Sequence, residues 1–232
     1  MSFYQVKSIL NVLVDAFFPK FCLFCSKEGR HICKNCIQEL DKDGVLICPD
    51  CKQESGEGEL CDDCSSSIDK QTSFLNYKED KIKKIIRKFK YEYVTGVLDP
   101  IKPEIRDFLQ KRKDIFPEES KVVPIPLHKK KRADRGFNQA KLIGEIVSNE
   151  LDLQQINALK RVENTKKQAD LKKEERLENV KGVFDVEKDI KGPVILVDDV
   201  FTTGATLQEC ASVLKSEADV EHVVGFTLAR GG

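Results

Sequence analysis

The stretch GPVILVDDVFTTGAT, residues 192–206, decides how the rest of the chain is read. Val194, Ile195, Leu196 and Val197 form an uninterrupted, mostly β-branched apolar run, which is the pattern of a strand buried on both faces in a parallel sheet. Two carboxylates, Asp198 and Asp199, follow at its carboxyl end, and Thr202, Thr203, Gly204, Ala205 and Thr206 then lead into a helix. Ligands of open parallel sheets bind outside the carboxyl ends of the strands. Backbone N–H groups at a helix N-terminus, joined by threonine hydroxyls, make a cradle for a phosphate, and Gly204 lets the backbone approach closely. Paired carboxylates beside such a cradle repel a polyphosphate unless they accept hydrogen bonds from hydroxyls. A sugar with vicinal hydroxyls next to its phosphate satisfies both halves.

Working outward, residues 71–232 alternate helices with short apolar strands, an α/β layout. Residues 81–93 read as a helix with Ile82, Ile85, Ile86 and Phe89 inward and Lys83, Lys84, Arg87, Lys88 and Lys90 toward water. A strand over 121–126 ends in prolines, and a helix over 138–150 follows Gly136. The segment GVFDV, 182–186, reads as another strand, 207–215 as a helix, and 222–228 as the strand that closes the sheet. Cys210 stands alone in a helix and reads as a small buried hydrophobe.

Residues 20–70 differ in kind. Of the nine cysteines, eight form the CxxC pairs Cys22/Cys25, Cys33/Cys36, Cys48/Cys51 and Cys61/Cys64. The first pair recurs 26 positions later as the third, and the second recurs 28 later as the fourth, so the segment reads as a tandem duplication. Each tight knuckle aims two thiolates at one ion, and two knuckles complete a tetrahedral sulfur shell suited to Zn²⁺. The expectation is a double zinc ribbon with two structural sites. Sequential and interleaved pairing of the knuckles satisfy the same chemistry, and His31 reads as a bystander. The disulfide alternative needs an oxidising compartment, for which no export signal argues.

The 232-residue chain carries 39 basic and 39 acidic residues, so whole-chain charge points to no polyanion partner and only local clusters do. Between Lys20 and Cys64 six basic residues meet ten acidic ones, which makes the ribbon module a poor phosphate binder. Residues 1–19 read as an amphipathic helix ending near Pro19, with Phe3, Val6, Leu10, Leu13 and Phe17 on one stripe. It is too short to span a bilayer and lacks a basic start, so it is expected to pack on protein, with reversible membrane contact as the alternative. A cytoplasmic location follows, with a peripheral place at the inner face of the membrane if that contact is made.

VILVDDVFTTGAT resembles the ribose-phosphate motif of the type I phosphoribosyltransferases. That resemblance implies that Asp198 and Asp199 contact the ribose hydroxyls of phosphoribosyl pyrophosphate and serve as the catalytic carboxylates, while residues 202–206 hold the 5′-phosphate. More widely, the cysteine-rich start, VPIPLHKKKRADRGFNQAKLI at 123–143, the series Arg161, Thr165, Gln168, Leu171, Arg176, Asn179, and the aspartate motif together resemble the ComF family of competence proteins, also described as GntX-like. The implied architecture is a double zinc ribbon followed by a Rossmann-like parallel-sheet domain of the type I phosphoribosyltransferase kind. The implied role is in natural transformation, with single-stranded DNA and competence or recombination proteins as partners.

Within that scheme His128, Lys129, Arg132 and Arg135 fall where the related enzymes keep a pyrophosphate loop, which takes the Mg²⁺-bound pyrophosphate; a solvated basic turn is the alternative. Residues 161–180 resemble a loop that closes over such sites, or form an ordinary exposed helix. Purine-salvage relatives carry an acidic residue where Thr202 stands, so Thr202 does not supply their proton acceptor, and no glutamine-hydrolysing domain is recognisable. From 78 to 93 seven basic residues face three acidic ones with Phe89, Tyr91 and Tyr93 interleaved. This fits a strand binder that tracks phosphates and stacks bases, or an amphipathic helix with its aromatics in the core.

Overall fold

A computed structural model describes residues 19–76, 80–91, 95–163 and 180–231. The amphipathic stripe of residues 3–17, Tyr93, and the series members Thr165, Gln168, Leu171, Arg176 and Asn179 lie outside the described residues. In chain order the main elements are helix α1 (Lys34–Gln38), strands β1 (Val45–Ile47) and β2 (Lys70–Asn76), and helices α2 (Asp80–Tyr91) and α3 (Lys102–Lys111). Strand β3 (Lys121–Pro124), helices α4 (Lys129–Arg135) and α5 (Gln139–Leu151), and strands β4 (Gln154–Gln155), β5 (Leu159–Arg161) and β6 (Phe184–Val186) follow. Strand β7 (Val194–Phe201), helix α6 (Ala205–Glu217) and strand β8 (Val223–Arg230) complete the order.

Six strands form one sheet in the order β1-β2-β8-β7-β3-β4, parallel throughout except for the antiparallel β1–β2 pair. The α/β reading therefore holds. Because successive side chains of β7 point to opposite faces, its apolar run serves two cores. Ile195 and Val197 pack with Ile82, Ile86, Phe108 and Ile143 from α2, α3 and α5. Val194 and Leu196 pack with Leu207, Cys210 and Leu214 of α6 and with Phe184. Cys210 is fully buried, as its apolar reading required.

Three expectations are corrected. The strand 223–230 does not close the sheet but lies inside it, flanked by β2, a strand whose polar KQTSFLN sequence hides it from hydropathy alone. GVFDV contributes β6, but β6 pairs antiparallel with β5 in a separate two-stranded sheet. The strand at 194 runs on to Phe201 rather than stopping at Val197, because β8 continues to pair with it as far as Phe201↔Arg230.

The ribbon is built on the same sheet. Val45, Leu46 and Ile47 lie between the two cysteine quartets in sequence and pair with Ser73, Thr72 and Gln71 of β2. The duplication is visible in the backbone. The bridges Phe21↔Glu28 and Ile47↔Glu54 are equivalent, as are the 3.0 Å bonds from the Ser26 amide to the Cys22 carbonyl and from the Lys52 amide to the Cys48 carbonyl. Ser26 and Lys52, at φ 57° and 66°, make the same left-handed turn in both knuckles.

Candidate functional site

Strand order places the site. The chain passes from β3 outward to β4, then returns to the other side of β3 as β7 and proceeds to β8. The reversal opens a crevice at the carboxyl ends of β3 and β7, the position where open α/β sheets bind ligands. β3 stops at Pro124, opposite Val197, so Asp198 and Asp199 project beyond the end of that neighbour.

Alternation along β7 sends the two carboxylates to opposite faces. Asp199 is buried at 7% exposure and lies on the α2 face, where its Oδ1 is 2.9 Å from the Lys90 ammonium. Asp198 is half-buried and faces Arg161 and Cys210, with its Oδ1 accepting the Asp199 amide at 2.8 Å. Burial and the neighbouring Asp199 carboxylate push the Asp198 carboxyl up to about 7, against the pull of Lys90, the Asp199 amide and Arg161.

This has a measurable consequence. Asp198 holds its proton more tightly when folded than at its ordinary value of 3.8, so the stability it contributes is lost as pH rises from there toward 7. Asp198→Asn removes that loss. The variant's melting temperature is expected to exceed the wild type's by an amount that widens from pH 5 to pH 7 and is level above, at about 2–4 °C per kcal/mol. A constant or inverted difference in thermal melts would show that Asp198 titrates normally.

Beyond Phe201 the chain turns sharply into α6. Gly204 at φ 80° caps the helix, and a Cβ there would come within 2.8 Å of the Phe201 ring. Both the backbone angle and the ring beneath it therefore require glycine. The Thr203 hydroxyl accepts the Ala205 amide at 3.3 Å, closing the turn on itself, while Thr202, Thr203 and Thr206 stay half-exposed around the first turn of α6. The sequence-derived cradle, residues 202–206, is thus one continuous turn at the crevice.

The basic segment after β3 is a helix, α4, rather than a loop. His128 caps it, its Nδ1 accepting the Lys130 amide at 3.3 Å. Lys129 and Arg132 are exposed, and among the described residues neither they nor His128 bonds either aspartate. Arg135 differs: half-buried at the end of α4, it bonds Gln139 Oε1 at 3.2 Å and lies close enough to Lys90 to oppose its charge.

Lys90 escapes sequence reading, and Arg161, named there only in the family series and as the start of the segment 161–180, falls instead at the end of strand β5. Lys90, expected toward water, points into the crevice at 23% side-chain exposure. The available signal was spacing: Ile82, Ile86 and Lys90 share one helical stripe at successive i, i+4 steps. Arg161 stacks on Phe184 at 5.1 Å and is brought beneath Asp198 by the β5–β6 pair, a juxtaposition that no local pattern carries.

The cysteines form two quartets, Cys22/Cys25/Cys33/Cys36 and Cys48/Cys51/Cys61/Cys64, with ligand sulfurs within 4.8 Å of one another. Pairing is therefore sequential, one quartet for each unit of the duplication. The Cys25–Cys33 and Cys51–Cys61 sulfur separations are 3.6 and 3.7 Å, matching the ~3.8 Å edge of a tetrahedron with Zn–S bonds of ~2.3 Å. Burial opposes ionisation of Cys22, but the amides of Cys25, Cys33 and Phe24 overcome it and bring the thiol down to about 6. The residues thus fit structural Zn²⁺. Among the described residues no other cluster of three or more His, Cys, Asp or Glu side chains could hold a metal.

Comparison with known proteins agrees with this arrangement. The double zinc ribbon domain family matches residues 13–65. Competence protein ComFC of Bacillus subtilis is 32% identical over 97% of this chain and 96% of its own length. The chain belongs to the ComF family of competence proteins. A second ComF relative, competence protein F of Haemophilus influenzae, is 30% identical over 92% of this chain and 98% of its own. DNA utilization protein YhgH of Salmonella typhi is 26% identical over 84% and 91%. This ComF-family chain ties its ribbon to the end of the sheet that carries the crevice: the Arg230 guanidinium, at the carboxyl end of β8, donates to the Lys52 carbonyl of the third knuckle at 2.8 Å.

Proposed function

We propose that this chain acts in DNA uptake during natural transformation, handling incoming single-stranded DNA, and that its sheet domain binds phosphoribosyl pyrophosphate at the β3–β7 crevice. One observation carries the ligand reading: a carboxylate pair, Asp199 buried and Asp198 half-buried, meets a glycine-capped threonine turn at the reversal point of the sheet, with Lys90 and Arg135 beside them. Asp198 and Asp199 take the ribose hydroxyls, residues 202–206 take the 5′-phosphate, and Mg²⁺ arrives on the ligand's pyrophosphate. The DNA role is supported by what the ComFC, competence protein F and YhgH relatives are named for. Titrating the protein with Mg²⁺ and phosphoribosyl pyrophosphate in a calorimeter tests the site; absence of heat at millimolar ligand would reject it.

On the described part of α2 the strand surface is made of cations. Phe89 is fully buried in the core, so it offers no face to a base, whereas Lys83, Lys84 and Arg87 are exposed on the outer side of α2. Affinity for a single strand is expected to fall steeply with salt, and Lys84→Ala with Arg87→Ala together to reduce the log–log slope by about 1.4. An unchanged slope in the double variant would place the DNA elsewhere.

Catalysis is the second reading, favoured by Asp198. Its carboxyl, pushed up to about 7 by burial and Asp199, takes up a proton more readily than an ordinary carboxylate, and phosphoribosyl transfer to an N–H nucleophile releases one. Among the described residues no helix is long and apolar enough to cross a membrane. We place the protein in the cytoplasm, where single strands and phosphoribosyl pyrophosphate meet.

A further inference from the structure

Lys90 occupies an unusual place for a lysine. It continues the buried stripe of α2, and that end of the helix is anchored: Phe89 packs on Phe137 at 5.8 Å, and Gln139 Nε2 donates to the Phe89 carbonyl at 3.4 Å. The ammonium is thus delivered to the crevice by rigid structure. It has three donors, and among the described residues Asp199, at 2.9 Å, is its one partner. Burial disfavours its charge, but Asp199, by charge and hydrogen bond, and then Asp198 keep it an ammonium, while Arg135 opposes.

A partly buried ion pair of this kind contributes little net stability, since desolvation offsets attraction. Stability therefore does not account for it. Nor does it account for a second cation, Arg135, near the first. A multiply charged anion in the crevice would offset the repulsion between them. Stereochemistry says which part of the ligand that is. In phosphoribosyl pyrophosphate the C1 pyrophosphate lies on the same face of the ring as the C2 and C3 hydroxyls. A cation tied to a carboxylate that reads those hydroxyls is therefore on the pyrophosphate's side.

Resting on the phosphoribosyl pyrophosphate reading above, we propose that Lys90 is a ligand-binding residue of the crevice: its ammonium, positioned by Asp199, takes an anionic oxygen of the ligand's pyrophosphate. This adds a helix α2 residue to the anion site, outside both the threonine turn and the basic segment 128–135. It also couples α2, whose outer face carries Lys83, Lys84 and Arg87, to occupancy of the crevice.

The test compares wild type, Lys90→Met and Lys90→Arg by calorimetry in Mg²⁺ with three probes: phosphoribosyl pyrophosphate, inorganic pyrophosphate and ribose 5-phosphate. Lys90→Met is expected to weaken the first two by about tenfold to a hundredfold, the loss of one charge-assisted hydrogen bond. Ribose 5-phosphate is expected to change by less than about twofold, and Lys90→Arg to retain most of the pyrophosphate affinity. Equal weakening of all three probes would make Lys90 a structural counter-ion of Asp199 and overturn the assignment. Unchanged binding of all three would overturn it too. If wild type binds none of the probes, the crevice reading itself falls and takes this assignment with it. Lys90→Gln, which keeps a donor for Asp199 but drops the charge, gives the same comparison should the methionine variant not fold.

Discussion

Asp199→Asn should lose most of the heat of phosphoribosyl pyrophosphate binding. The carboxylate is buried, held by Lys90, and projects past the end of β3 into the crevice. Asparagine keeps the shape and one acceptor but removes the charge that makes hydrogen bonds from sugar hydroxyls strong. Losing one such bond is worth about 1.5–3 kcal/mol, or roughly tenfold to a hundredfold in affinity. The variant also leaves the Lys90 ammonium without its anion. Breaking a fully buried pair costs about 3–5 kcal/mol, and partial exposure of Lys90 reduces that here. A melting temperature several degrees below wild type is therefore expected alongside the binding loss. Calorimetry and thermal melts on one preparation separate the two effects. Wild-type affinity in Asp199→Asn would mean that the aspartate pair does not read the ligand.

The second large effect concerns zinc. The protein is expected to carry one zinc in each of its two quartets, and Cys48→Ser to retain one. Structural zinc in ribbons contributes an apparent ~10–16 kcal/mol per site at neutral pH, so loss of the ion unfolds the knuckles that hold it. Here the damage spreads predictably. Cys48 directly follows β1, whose Val45, Leu46 and Ile47 pair with Ser73, Thr72 and Gln71. Hydrogen exchange in β2 should accelerate more in Cys48→Ser than in Cys22→Ser, whose quartet shares a core with Phe74 and Leu75 but is not directly followed by a strand paired to β2. The same metal loss frees Lys52, and with it the Arg230 bond at the carboxyl end of β8. Elemental analysis and exchange mass spectrometry read both outcomes. Two zincs retained in Cys48→Ser, or equal protection of β2 in both variants, would sink this picture.

Much of the site was legible because its chemistry is local. The knuckle spacings name eight thiolate ligands, and the turn at 202–206 announces itself by Gly204 between threonines. What reading along the chain missed was periodicity at two margins. Ending β7 at Val197 hid the fact that Asp198 and Asp199 obey strand alternation and face opposite sides. Grouping Lys90 with the solvent-facing lysines overlooked its place on the Ile82–Ile86 stripe. Phe89, offered as a stacking aromatic, belongs to that same buried side.

By itself the sequence determined the α/β class, the identity of the metal ligands and the strand-to-helix turn, because each depends on residues a few positions apart. Only the tertiary structure decided that each unit of the duplication closes its own quartet and that β1 joins the main sheet. It alone paired β5 with β6 and brought Lys90 and Arg161 to opposite sides of the aspartates. Those outcomes depend on which distant segments share a core. That is set by the summed packing of two sheet faces, and no short stretch of chain encodes it.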